Sequence, residues 1–217
     1  MSGAIIFDMD GVLLDTERIA IICWSRVAER NSVRGIEPVL YRCIGTTSRV
    51  TDIIMSDFFG GIDIYTELRE QYYHERVSYL KEHGIPVKEG AKELLGYLSD
   101  RGILVGLASS TYTQNIVGEL SDTGLLEYFT TIVGGEMVSK SKPDPDIFLF
   151  CADRLGCPPS EAYVIEDSFN GILAAHAAGM RAIMVPDLIP PDESIKPLLF
   201  ALCCSLFEVK ALLSSVL

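Results

Sequence analysis

Apolar positions along the 217-residue chain fall into two textures. In one, short apolar runs at residues 4–7, 103–108, 131–133, 162–165 and 182–185 stop abruptly at polar or turn residues, the pattern of strands buried on both faces. Between them the period changes. Ala91, Leu94, Leu95 and Leu98 recur at i, i+3, i+4 and i+7 on a helix ended by Gly102, and further helices are predicted over 114–120, 147–155 and 172–178. A tail strand near 201–203 and a helix over 206–213 close this part. Strands alternating with helices predict right-handed crossovers and a parallel sheet covered on both sides.

Residues 16–86 have the second texture. Ile19, Ile22, Cys23 and Val27 form a helical stripe that Asp15 or Thr16 can cap. Short helices are predicted over 39–44 and 50–59, on either side of the turn Gly45-Thr46-Thr47-Ser48, and a long one over 64–83 closed by Gly84. No convincing strand interrupts them. The expected fold is therefore α/β: a Rossmann-like, doubly wound parallel sheet built from 1–15 and 87–217, with an all-helical domain, 16–86, inserted and Gly84-Ile85-Pro86 as the return hinge.

Composition narrows the possible partners. With 48% apolar and 22% charged residues the chain can bury one substantial core plus a small module. A net charge of -12 opposes nucleic acid or an anionic membrane surface as partner. The six cysteines show no C-x-x-C pair, no basic segment precedes the first apolar run, and the longest apolar stretch, 198–204, is too short to span a bilayer. These features predict a cytoplasmic protein with reduced thiols, a monomer being the simplest assembly.

The candidate chemistry stands at the strand ends, which converge in space in such a sheet. Asp8 and Asp10 follow the first strand two positions apart, so an extended chain puts both carboxylates on one side, where they repel unless a cation or a shared proton intervenes. Gly11 then lets the backbone turn sharply. The residue types allow a nucleophile, a general acid/base or a hard-cation ligand; the alternative is a solvated loop. Ser109, Ser110 and Thr111 end the next strand and suit either a phosphate or a plain helix cap. Lys142, before Pro143, can neutralise a carboxylate and a phosphoryl oxygen together, or be a surface lysine; Asp144 is the expected cap of the following helix. Glu166 and Asp167 form a second acid pair, opposite Asp8 and Asp10, and the all-oxygen set suits Mg²⁺.

Taken in order, Asp8-Met9-Asp10-Gly11, Ser109 after an apolar strand, Lys142-Pro143 and Glu166-Asp167 resemble the four motifs of the haloacid dehalogenase superfamily, and the likeness covers the whole chain. The helical insert is similar to the cap domain of the branch containing β-phosphoglucomutase and phosphoglycolate phosphatase. The resemblance implies a Mg²⁺-dependent phosphatase acting on a small phosphorylated metabolite, such as a sugar phosphate, through an aspartyl-phosphate. Asp8 would be the nucleophile and Asp10 the acid/base; Ser109 would hold a phosphoryl oxygen and Lys142 would balance charge. The Asp8 side chain, the Asp10 carbonyl and Asp167 would bind the metal, with Glu166 assisting directly or through water, and the Lys142–Pro143 bond would be cis. Gly11 and Ser110 would line the phosphate site. In the insert, Thr46, Thr47 and Arg49 are candidates for leaving-group contacts, against the alternative of an ordinary capped turn. A phosphosugar mutase is the enzymatic alternative; Ala20 stands where mutases of this kind resemble one another in a histidine, and Ile44 and Ser48 stand where they carry basic residues. A non-catalytic binding protein on the same fold is the second alternative.

Overall fold

The computed structural model describes residues 3–46 and 48–217. Strands β1 (Ile5–Phe7), β2 (Val105–Ala108), β3 (Thr131–Val133), β4 (Tyr163–Glu166), β5 (Arg181–Met184) and β6 (Ala201–Leu202) form one parallel sheet in the order β3-β2-β1-β4-β5-β6. The chain winds outward from β1 to β3, then returns to the other side of β1 and winds outward again. Strand order thus reverses at β1 and β4, and the crevice beyond their C-terminal ends is where an open α/β sheet holds its ligand.

Every expected strand is present; β1, β2 and β4 are buried along their whole length, while β3 and β6 at the sheet's two edges are partly exposed. Ile5 and Phe7 point into one layer with Leu94, Leu95 and Leu98 of α5 (Ala91–Asp100), Ile116 and Leu120 of α6 (Thr113–Thr123), and Val209 and Leu213 of α9 (Leu206–Val216). Ile6 points the other way, into a layer with Phe148 and Cys151 of α7 (Asp146–Leu155) and Ile172 and Ala175 of α8 (Phe169–Ala177). Period 2 along one strand therefore feeds two cores.

Between β1 and α5 lie α1 (Thr16–Arg30), α2 (Glu37–Cys43), α3 (Ser48–Phe59) and α4 (Ile62–His83), with a separate core of Trp24, Val27, Leu40, Met55, Tyr65 and Leu68. Trp24 stacks on Tyr72, ring centroids 4.6 Å apart and ring planes nearly parallel. The passages into and out of this insert meet at one carboxylate: Asp187 Oδ1 takes Arg18 at 2.9 Å and Lys88 at 2.8 Å. No helix among the described residues is long and apolar enough to cross a membrane.

Two expected caps differ. Asp15 occupies the cap position of α1 but makes no capping bond; its carboxylate pairs with Arg18 at 3.2 Å, and the Thr16 hydroxyl goes to Asp10 instead. Asp144 lies one residue before the cap of α7, where its N–H closes a turn onto Ser141, and Pro145 takes the cap position.

Gly106 shows how tightly α7 sits on the sheet. A Cβ there would lie 2.6 Å from Cys151 Sγ and 2.9 Å from Leu155 Cδ1. Gly106→Ala should therefore cost about 1–3 kcal/mol of stability, as overpacking does. Cys151→Ala in the same chain should return part of it, and denaturant titration of the single and double variants checks both.

Candidate active site

Lys142 lies at the centre of the strand-end crevice. Its ammonium is buried and donates to Asp8 Oδ1 at 2.5 Å, Glu166 Oε1 at 2.7 Å and the Ala108 carbonyl at 3.3 Å, joining the ends of β1, β2 and β4. Phe148 lies beneath it, the ammonium 4.8 Å from the ring centroid. The Lys142–Pro143 bond is cis, as the resemblance implied. Burial alone would lower the lysine pKa, but the Asp8 and Glu166 carboxylates hold it above its ordinary range.

Glu166 is the partner that fixes this lysine. Its Oε2 accepts from the Asp167 N–H at 2.8 Å, the Ser168 N–H at 2.8 Å and the Ser168 hydroxyl at 3.0 Å, while Ser168 Oγ caps α8 by accepting from Gly171 N–H at 3.1 Å. A side chain at Gly171 would collide with the Glu166 carboxylate, so a glycine is required there. Both oxygens of Glu166 are thus engaged, one with Lys142 and one with the start of a helix.

Asp10 is held by three hydroxyls. Thr16 donates to Oδ1 at 2.5 Å; Ser109 and Thr111 donate to Oδ2 at 3.2 and 3.0 Å. Ser109 is fully buried and also accepts the Thr111 N–H at 3.1 Å. Gly11, at φ 81°, brings the backbone against the Asp167 carboxylate, into which any Cβ would run.

Acids outnumber cations here. Burial pushes the Asp8 carboxyl up, Lys142 pulls it back, and Glu166 and Asp10 push it further. Asp167 is raised well above its ordinary value by burial, then by Glu166 and Asp8. Its carboxylate is buried, yet no protein donor reaches it among the described residues. A buried carboxylate with no donor, beside a second one, is the environment a hard cation relieves, and the donors are all oxygen. Among the described residues no three His, Cys, Asp or Glu side chains gather as a ready-made ion cage.

A cavity of about 260 Å³ opens above Asp8 and Asp10, between the sheet and the helical insert. Ser110 and Thr46 line it. The Thr46 hydroxyl donates to the Cys43 carbonyl at 2.7 Å and meets Thr51 Oγ1 at 2.9 Å, so it also closes its own turn. Thr47 lies outside the described residues. Arg49 is not brought to the cavity: it is exposed on the first turn of α3. The arginines that do reach it are Arg69 and Arg76 of α4. With Tyr65 and Tyr72 they recur at i, i+4, i+7 and i+11, one helix face, a signal present in the sequence and missed because the stripe is half charged. Arg69 pairs with Asp52 at 3.0 Å; Arg76 crosses from the insert to Glu119 of α6 at 2.5 Å.

Glu17 was also missed. It follows Thr16 into the cavity, where burial, then Asp10, pushes its carboxyl from 4.5 up to about 8 and the nearby Gly45 backbone pulls it partly back. The Gly45 turn in turn packs on Ser168, whose Oγ a Cβ at Gly45 would meet at 2.6 Å.

The comparisons with known proteins agree with this geometry. The profile of the haloacid dehalogenase-like hydrolases matches residues 5–185. A phosphorylated carbohydrates phosphatase of Thermotoga maritima is 32% identical over 180 residues, 83% of each chain. A beta-phosphoglucomutase of Bacillus subtilis is 33% identical over 191 residues, 84% of this chain and 82% of that one. The crystal structure of a putative beta-phosphoglucomutase from Thermotoga maritima superposes with a TM-score of 0.80 at 30% identity, covering 99% of this chain and 100% of the other. The chain belongs to the haloacid dehalogenase-like hydrolases, as a phosphohydrolase of the branch with a helical insert.

The raised Glu17 carboxyl gives a stability test. A group held neutral by the fold contributes fully below its ordinary value of 4.5, and that contribution is lost as pH rises through about 8. Glu17→Gln cannot ionise, so in chelator its stability should gain on wild type between pH 5 and pH 8. Denaturant midpoints at the two pH values check this; an unchanged gap would show that Glu17 titrates normally.

Proposed function

We propose that this chain is a Mg²⁺-dependent phosphatase of small phosphorylated metabolites, sugar phosphates foremost, acting through an aspartyl-phosphate on Asp8. The observation that carries the reading is the Lys142 ammonium held between Asp8 and Glu166, with Asp8 lining the cavity beside Asp10, which three hydroxyls hold.

The roles follow from charge. A phosphate monoester dianion repels an anionic nucleophile, and Lys142 offsets part of that repulsion at the attacking oxygen. Asp8 forms the bond to phosphorus as the bond to the leaving oxygen breaks. Asp10 delivers a proton to that oxygen, then takes one from the water that cleaves the aspartyl-phosphate. Ser109, Ser110 and the backbone at Gly11 receive phosphoryl oxygens. The Asp8 side chain, the Asp10 carbonyl and Asp167 would hold Mg²⁺, with Glu166 acting through Lys142 and the loop it caps. When bound, the ion supplies positive charge to the phosphoryl oxygens. Residues 16–86 serve as a cap over the core of 1–15 and 87–217, excluding bulk water while the ester is intact.

A cavity of this size, in a chain of net charge -12, suits a small metabolite in the cytoplasm better than nucleic acid. The mutase reaction is the alternative; Ala20 lines the cavity where the mutases' pattern has a histidine, and this weighs against it. Phosphate release from sugar phosphates, phosphoglycolate and an aryl phosphate should require Mg²⁺ and stop with chelator. Asp8→Asn should lower turnover by about a thousandfold or more with the fold intact by circular dichroism; near-full activity in that variant would remove Asp8 as nucleophile.

A further inference from the structure

On that phosphatase reading, we propose that the cavity selects esters whose leaving group is uncharged and rich in hydroxyls, and that Glu17 is the specificity-determining residue. Thr16 holds Asp10, the acid that faces the departing oxygen, and Glu17 comes next on the same helix and lines the same cavity. What it meets is the part of the substrate beside the scissile bond. Gly45, at the turn over the site, lines the same cavity. In either protonation state Glu17 accepts a hydrogen bond from a hydroxyl, whereas a carboxylate or second phosphate on the leaving group brings like charge and no donor.

The rest of the cavity points the same way. Beyond the phosphoryl end the charged lining among the described residues is Glu17, Asp52 and Glu119 against Arg69 and Arg76. Neither arginine is unengaged: Arg69 is taken by Asp52 and Arg76 by Glu119. With three carboxylates against two guanidiniums, each already paired with one of them, a second anionic group meets net like charge and competes with a carboxylate for either arginine. A neutral polyol enters no such competition, and Trp24, stacked on Tyr72, offers its C–H groups an aromatic wall.

The test compares kcat/KM, with Mg²⁺ present, for a hexitol monophosphate, phosphoglycolate, a hexose bisphosphate and an aryl phosphate as common reference. Wild type should favour the hexitol ester over both anionic ones by about tenfold or more, and Glu17→Ala should cut that ratio by about tenfold. Glu17→Gln, which keeps an acceptor but cannot carry charge, should raise the anionic esters relative to the reference and spare most of the hexitol preference. Ratios unchanged in both variants, or a wild type that favours the anionic esters, would overturn the proposal. A second readout needs no turnover. Trp24 is the chain's single tryptophan, so its fluorescence reports occupancy of the cavity in Asp8→Asn protein. The hexitol ester should saturate the signal at about a tenth of the concentration the anionic esters need. If no ester is hydrolysed the phosphatase reading fails by itself, and the order of these titrations still decides the inference: equal or reversed affinities refute it.

Discussion

Everything in the crevice depends on one buried ammonium. Three strands end in a place where Asp8, Asp10, Glu166 and Asp167 converge, and without Lys142 these acids would face one another in a poorly solvated site. Such an arrangement is a poor device for stability, since taking charges out of water costs about as much as their pairing returns. It makes sense as chemistry. The lysine is held against Asp8 by Glu166, and Glu166 is held by the start of α8, so a carboxylate outside the cavity lining sets where the ammonium stands. The glycines follow from the same constraint: Gly171 leaves room for the Glu166 carboxylate and Gly11 for that of Asp167.

The sheet and its strand-end residues were legible in the chain because both obey local rules. A strand buried on two faces is a short apolar run, and a polar residue ending that run stands at the sheet's edge whatever the rest of the molecule does. Asp8, Asp10, Ser109, Glu166 and Asp167 lie in the crevice for that reason, while Lys142 reaches it from the loop between β3 and α7. What the pattern did not contain was the division of labour within it. Thr16 looks like a helix cap and instead holds Asp10; Glu166 looks like half of a ligand pair and also holds Lys142.

The insert was harder to read, because which side of a helical layer covers the crevice is set by how that layer docks, not by its own periodicity. Arg49 lies next to the turn over the site and points to solvent, while Arg69 and Arg76, distant in sequence, arrive from α4. Docking rests on a few polar contacts: Arg76 with Glu119, the Gly45 turn on Ser168, and Asp187 with Arg18 and Lys88.

Of these, the Asp187 junction has unequal arms. Its side chain is 2% exposed, Lys88 24% and Arg18 50%. An exposed pair exchanges readily with water, whereas stripping the last cation from a buried carboxylate does not come cheaply. Lys88 is therefore the arm this junction keeps, and Arg18 the one it can release to water.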